Sequence, residues 1–206
     1  AASLSVTFPS SCTFSSSRPM DLIAACKASF TVFAEVVWKH LHLPPLTPRQ
    51  KEVCWWLQYG PKRNQTWAFR GMGKSYLTGA YACWVLLVNA NEAVLVLSAS
   101  KKRADEFVQF TRRLIEDMPI LQHLRPDPRK GQRDSTVAFD VGPCIPKQAP
   151  SVKALGITGH MAGARGSTII LDDVEVPNNS ATPDQRDKLA TMIQEVDAII
   201  LPDDER

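Results

Sequence analysis

The residues able to do chemistry in this chain fall in two places. Lys74 and Ser75 close the stretch Ala68-Phe69-Arg70-Gly71-Met72-Gly73-Lys74-Ser75, and Asp172, Asp173 and Glu175 follow the apolar run Ser167–Leu171. Glycines at 71 and 73 let a backbone turn sharply and bring N–H groups close to an anion. Lysine adds a point charge for β- and γ-phosphates, and the serine hydroxyl after it can ligate Mg2+. Adjacent carboxylates repel, so a pair at the tip of an apolar strand suits a place where a cation compensates. The two stretches together predict a phosphate cradle, Gly71 to Ser75, with Ser75 and Asp172 on magnesium. Asp173 or Glu175 would orient and deprotonate an attacking water. Asp173 is preferred because it directly follows the metal carboxylate, but an aspartate is short there, which keeps Glu175 open.

The loop departs from the usual Gly-x-x-x-x-Gly-Lys-Ser pattern: Ala68 stands where the first glycine belongs, and Arg70 sits inside. Upstream, Gln50 lies in the turn Thr47-Pro48-Arg49-Gln50. Its amide can both donate to and accept from an adenine edge; an exposed helix glutamine is the competing reading.

Elements must hold these residues in place. Thr66–Phe69 is expected as a short strand entering the loop, and Ser75–Val88 as the helix leaving it. Ala93–Ser98 is a continuous apolar run, as in a strand buried on both faces. Lys101–Asp117 has helical periodicity, with Phe107, Phe110, Leu114 and Ile115 inward. Thr136–Phe139 and Val152–Ile157 read as shorter strands, Ser167–Leu171 as a second buried one, and about Pro183–Ile200 as a last helix. Near the start, Met20–His42 carries one helical stripe that Pro44-Pro45 stops; Thr47 then caps a new helix with Pro48 at its first position. Strands alternating with helices predict an α/β fold with an open, mostly parallel sheet flanked by helices.

At 206 residues the chain suffices for one such domain. Its 44% hydrophobic and 22% charged residues suit a folded protein, and a net charge of +3 does not by itself demand a nucleic-acid partner. The five cysteines are scattered without a Cys-x-x-Cys pair, and His40 and His42 point to different faces of a helix, so no His/Cys metal site is expected. No apolar run reaches the roughly 20 residues of a membrane span. Residues 1–19 are Ser-rich and read as a disordered leader, with Met20 as the natural start and 20–206 as the domain.

Five stretches then match a known family in order and spacing: Trp67–Tyr76, Val96–Ala104, Gly131–Gly142, Ser151–Gly159 and Gly163–Thr182. They resemble the ATPase domain of the large terminase subunit of short-tailed, podovirus-type bacteriophages. There a small residue often replaces the first loop glycine and an arginine is usual before Gly-x-Gly-Lys, so the resemblance accounts for Ala68 and Arg70. It implies a P-loop NTPase fold of the ASCE/RecA-like class, using ATP and Mg2+ to drive double-stranded DNA into a procapsid. It also implies a ring of copies, contacts with portal protein and the small terminase subunit, and a place in the host cytoplasm, outside the mature virion. Arg70 would sense the γ-phosphate, and Arg165 would be an arginine finger reaching a neighbouring subunit. The family continues into a coupling-motif strand and a nuclease domain, so this chain is expected to be an ATPase domain truncated before that strand, without DNA cleavage. A helicase-like or repair ATPase, and an inactive truncated relic, are the rival readings. DNA contacts would fall on Lys101, Lys102 and Arg103, or on Arg125, Arg129, Lys130 and Arg133; a solvated mixed-charge surface is the plainer account of either cluster.

Overall fold

The computed structural model describes residues 19–159, 161 and 163–201. The leader expected over residues 1–19 lies outside them, apart from Pro19, as do residues 202–206.

The core element is β1 (Val94–Ser98), whose five residues are all buried. Such a strand alternates its side chains between two faces. Val94 and Val96 pack among the helices on one side, and Leu95 and Leu97 join Met161, Ala164, Val196 and Ile199 on the other. Being covered on both faces, β1 has parallel neighbours along both edges. Three further strands, β2 (Ala138–Phe139), β3 (Val152–Gly156) and β4 (Thr168–Asp172), complete the order β2-β3-β1-β4. β3 and β4 run parallel to β1, and short β2 pairs antiparallel to β3. The α/β architecture with a mostly parallel sheet is therefore present. The register sets Ser98 beside Gly156 and Asp172, bringing the C-terminal ends of three strands to one edge of the sheet.

The larger layer holds helices α1 (Pro19–Ala28), α2 (Phe30–His40), α3 (Pro48–Tyr59), α4 (Lys74–Val88) and α5 (Lys101–Asp117). α4 crosses α5 closely because Gly79 carries no side chain; a Cβ there would stand 2.6 Å from the Phe110 ring. A short helix α6 (Pro177–Ser180), then α7 (Pro183–Glu195) and a 3-10 turn, Val196–Ile199, follow β4.

Three expectations need correction. The stripe from Met20 to His42 is two helices. Ser29 has extended backbone (φ −138°) and its hydroxyl accepts from Val32 N–H, so it caps α2. Gln58 then bridges the break, its Oε1 accepting from Phe30 N–H at 2.8 Å and its Nε2 donating to the Ala28 carbonyl at 2.9 Å. Periodicity passes through the break unchanged because Cys26 of α1 and Phe30, Phe33 and Val37 of α2 join one buried cluster. Second, Thr66–Phe69 forms no strand. Trp67 and Phe69 are exposed, and no described strand offers this segment a ladder, so its peptide groups remain outside the sheet. Third, the last helix ends at Glu195 and tightens into the 3-10 turn, which sends Val196 and Ile199 under the sheet.

Candidate active site

The Phe69–Ser75 loop leads directly into α4. Met72 N–H donates to the Phe69 carbonyl at 3.4 Å, and Gly71 and Gly73 take positive φ, +88° and +82°. Only glycine adopts that region at little cost, so the two glycines make the turn possible. Gly73 is also the N-cap of α4. The N-caps of α2, α3, α5 and α7 (Ser29, Thr47, Ser100 and Thr182) each accept a backbone N–H with a side chain, but α4 has no such cap. The first N–H groups of α4 are thus left with the positive end of its dipole, a ready place for an anion.

Gln50 braces this loop. Its Oε1 accepts from Thr47 N–H at 2.8 Å in a capping box, and its Nε2 donates to the Met72 carbonyl at 2.8 Å. Both ends of the amide are therefore in use. An adenine contact has one remaining Nε2 proton to work with.

The sheet delivers the carboxylates. Lys74 Nζ stands 2.6 Å from Asp173 Oδ1, and Ser75 Oγ donates to Asp172 Oδ2 at 3.4 Å. These partners are 99 and 97 residues apart in the chain. Asp173 reaches the lysine from a left-handed backbone (φ +46°), a region that aspartate enters more readily than most residues. Arg103, in the first turn of α5, approaches the other oxygen of Asp173 at 3.9 Å. Burial pushes the Asp172 carboxyl above the usual carboxylate range, and the neighbouring Asp173 charge adds to this. Lys74, the Ser75 hydroxyl and Arg103 pull the other way. A cleft of about 460 Å³ opens here, lined by Ser75, Asp172, Asp173 and Arg103 and walled by the rings of Tyr76, Phe107 and Phe110.

The donor set fits a small hard cation. The Ser75 hydroxyl and Asp172 carboxylate are oxygen ligands of the kind Mg2+ takes. Ser98, beside Asp172 in the register, has a buried hydroxyl without a hydrogen-bond partner.

No family model matches the chain. It is, however, 44% identical over 188 residues to a large terminase subunit from Enterobacteria phage T3, a match covering 91% of this chain. The chain belongs with the podovirus-type large terminase subunits. It spans 32%, about a third, of the curated relative's length.

The other expected residues of this terminase segment lie apart from the Lys74–Asp173 pair. Arg70 is exposed on the loop, and Glu175 is exposed outside the residues lining the cleft. Arg165 precedes β4 and so sits at the opposite end of that strand from Asp172; its guanidinium donates to the Ala164 carbonyl at 3.0 Å. Much of the basic surface is engaged within the chain. Lys101 pairs with Asp105 at 2.7 Å and Lys102 with Glu106 at 4.0 Å. Arg125 donates to the Glu116 carbonyl, and Arg133 ties the Lys147 and Gln148 carbonyls to its own loop. Arg129 and Lys130 are exposed on a 3-10 turn.

Two residues of the site are not evident from sequence. Arg103 looks like one of three similar cations, and Ser98 like the end of an apolar strand. For Arg103 a signal exists: four residues after Lys101 and Lys102 stand Asp105 and Glu106, but four after Arg103 stands Phe107.

Proposed function

We propose that this chain carries the P-loop nucleotide site of a DNA-packaging ATPase. One observation carries the reading: the loop that begins α4 and the acidic end of β4, nearly a hundred residues apart, meet as Lys74–Asp173 and Ser75–Asp172. The uncapped N-terminus of α4 and Lys74 would take the phosphates of ATP. Ser75 and Asp172 would hold Mg2+, which when bound supplies positive charge against the phosphate oxygens. Asp173 suits the acceptance of a proton from an attacking water better than Glu175 does, since it lines the cleft. Arg70 would meet the γ-phosphate from the loop, and Arg165, remote from its own chain's site, would serve a neighbouring copy in a ring. The likeness to a terminase subunit supports double-stranded DNA as the moved substrate, with portal protein and the small terminase subunit as partners, in the host cytoplasm. Contacts to DNA would be to phosphates, since packaging must accept any sequence.

Binding of a fluorescent ATP analogue with Mg2+, in the wild-type chain and in Lys74→Ala, tests this. Loss of a charge-assisted contact worth ~1.5–3 kcal/mol should weaken binding by roughly tenfold to a hundredfold. Equal affinities would remove the nucleotide reading.

A further inference from the structure

The pairing of charges at the site is at odds with its chemistry. Asp173 is bound by Lys74, whose ammonium stands 2.6 Å from Oδ1 and so occupies an oxygen that an attacking water would need. Lys74 is also the cation that a triphosphate would claim. The pair is half-exposed, with side chains 31% and 46% accessible, so it is a weak bond that a polyanion can displace. Once Lys74 turns to phosphate, Asp173 loses its near partner. It sits next to Asp172, whose charge repels it, and on a left-handed backbone with a small preference of its own.

Arg103 is the group left facing it. The first turn of α5 carries three cations, Lys101, Lys102 and Arg103, at the end of a helix whose dipole disfavours positive charge. Two of them are compensated along the helix, Lys101 by Asp105 and Lys102 by Glu106. Arg103 has Phe107 one turn on and instead reaches across to the end of β4, where its guanidinium stands 3.9 Å from Oδ2 of Asp173, the residue after the strand. That is a long contact while Lys74 holds the other oxygen, and α5 gains little from it.

We infer that Arg103 is a positioning residue that takes over the Asp173 carboxylate when a bound triphosphate draws Lys74 away. This role rests on the nucleotide reading given under the proposed function. Guanidinium suits the role because it stays protonated, donates from a planar fork, and leaves the carboxylate with a free lone pair for a water. Lys74 and Arg103 thereby divide the work. The lysine guards Asp173 before nucleotide binds, and the arginine aims it afterwards, so hydrolytic competence depends on occupancy.

The test compares wild type, Arg103→Ala and Arg103→Lys in the full chain, with Lys74→Ala alongside. Mg–ATP affinity and steady-state turnover are measured, together with backbone hydrogen exchange over residues 171–176 under a saturating non-hydrolysable triphosphate. Arg103→Ala should bind within about threefold of wild type yet turn over roughly tenfold to a hundredfold more slowly, the loss falling on kcat and not on KM. Its 171–176 segment should exchange faster than wild type with nucleotide bound but alike without it. Arg103→Lys should recover a substantial part of the rate. Wild-type turnover by Arg103→Ala, or a rate loss matched by an equal loss of affinity, would overturn the proposal while leaving the nucleotide site intact. Failure of wild type to bind Mg–ATP better than Lys74→Ala would instead overturn the nucleotide reading, and the role of Arg103 with it.

Discussion

Gly73→Ala puts the loop geometry to a quantitative test. Gly73 has φ +82°, and a Cβ built there would lie 3.5 Å from Gln50 Nε2 and 3.6 Å from Trp38 Cζ2. Those are ordinary contacts, so the substitution meets no steric wall; its cost is backbone alone. Holding alanine in the left-handed region costs about 1–2 kcal/mol. Alanine also restricts the unfolded chain, which returns about 0.4–1 kcal/mol to stability. If the loop keeps its shape, the mutant should lose a net ~0.5–1.5 kcal/mol in urea denaturation and bind Mg–ATP as wild type does. If the loop relaxes instead, stability holds and the strain must be restored on binding, weakening affinity by roughly fivefold to thirtyfold.

Gly131 serves as the control. It has φ +73°, nothing within 4 Å of a Cβ, and a place at the end of the 3-10 turn Pro128–Lys130, far from the loop in sequence. Gly131→Ala should show the same kind of stability loss with no change in nucleotide affinity. Gly73→Asn should lose less than Gly73→Ala, because asparagine tolerates the left-handed region. A Gly73→Ala chain unchanged in both stability and affinity would refute this account, since the loop would then not be held at this positive φ.

Further expectations follow from the same geometry. Asp172 has a folded pKa raised by burial and by Asp173. The folded chain therefore binds more proton than the unfolded one between about pH 3.9 and the raised value, and stability falls as pH rises through that window. Asp172→Asn, which keeps an acceptor for Ser75, should raise the neutral-pH Tm, and the advantage should vanish below about pH 4; a lower neutral Tm would contradict it. Gln58→Ala removes both bonds that bridge the α1–α2 break and should cost about 1–2 kcal/mol in urea denaturation, with Gln58→Glu losing less because it keeps the acceptor for Phe30 N–H. Burial pushes the Cys26 and Cys54 thiols up to about 11 and about 12, and Cys83 higher still, so among the four described cysteines Cys144 should react first with a thiol reagent in the native chain. Mass mapping of the labelled peptides would show otherwise if a buried thiol led. ATP with EDTA should bind at least tenfold more weakly than ATP with Mg2+, as read by calorimetry.

The sheet strands were legible because they are buried in different ways. β1 is apolar throughout, since both its faces are covered, and β4 ends on the acidic pair, since its C-terminal tip opens to the cleft. The helix start at Thr47 was legible from capping chemistry alone. What stayed hidden depends on partners distant in sequence. Gln58 marks the break at Ser29 from 28 and 30 residues away, and no local pattern announces it. Thr66–Phe69 has strand composition, but a strand exists only where a neighbour completes its ladder, and that neighbour is not part of the described sheet. Arg103 was hidden for a related reason. Its charge counts with its neighbours along the chain, whereas its partner, Asp173, lies just past β4.

The balance of charge at the site decides what kind of ligand it can accept. Within the chain, Lys74 and Arg103 stand against Asp172 and Asp173, and Glu106 also lines the cleft, so the cradle is not a general trap for anions. A bare triphosphate could reach the α4 N-terminus only by taking Lys74 from Asp173, and it would then face two carboxylates. One of these, Asp172, already holds its charge against burial and a like neighbour. A bare cation would meet Lys74 still in place. On the proposed reading, a triphosphate carrying Mg2+ would bring both signs together: its oxygens would replace Asp173 at Lys74, and the metal would answer Asp172 and Ser75. The aspartates would then repel free nucleotide and join the site only for the metal complex. That is the physical reason to expect strong synergy between ATP and Mg2+, and it follows from the placing of four charged side chains on or just past three separate elements.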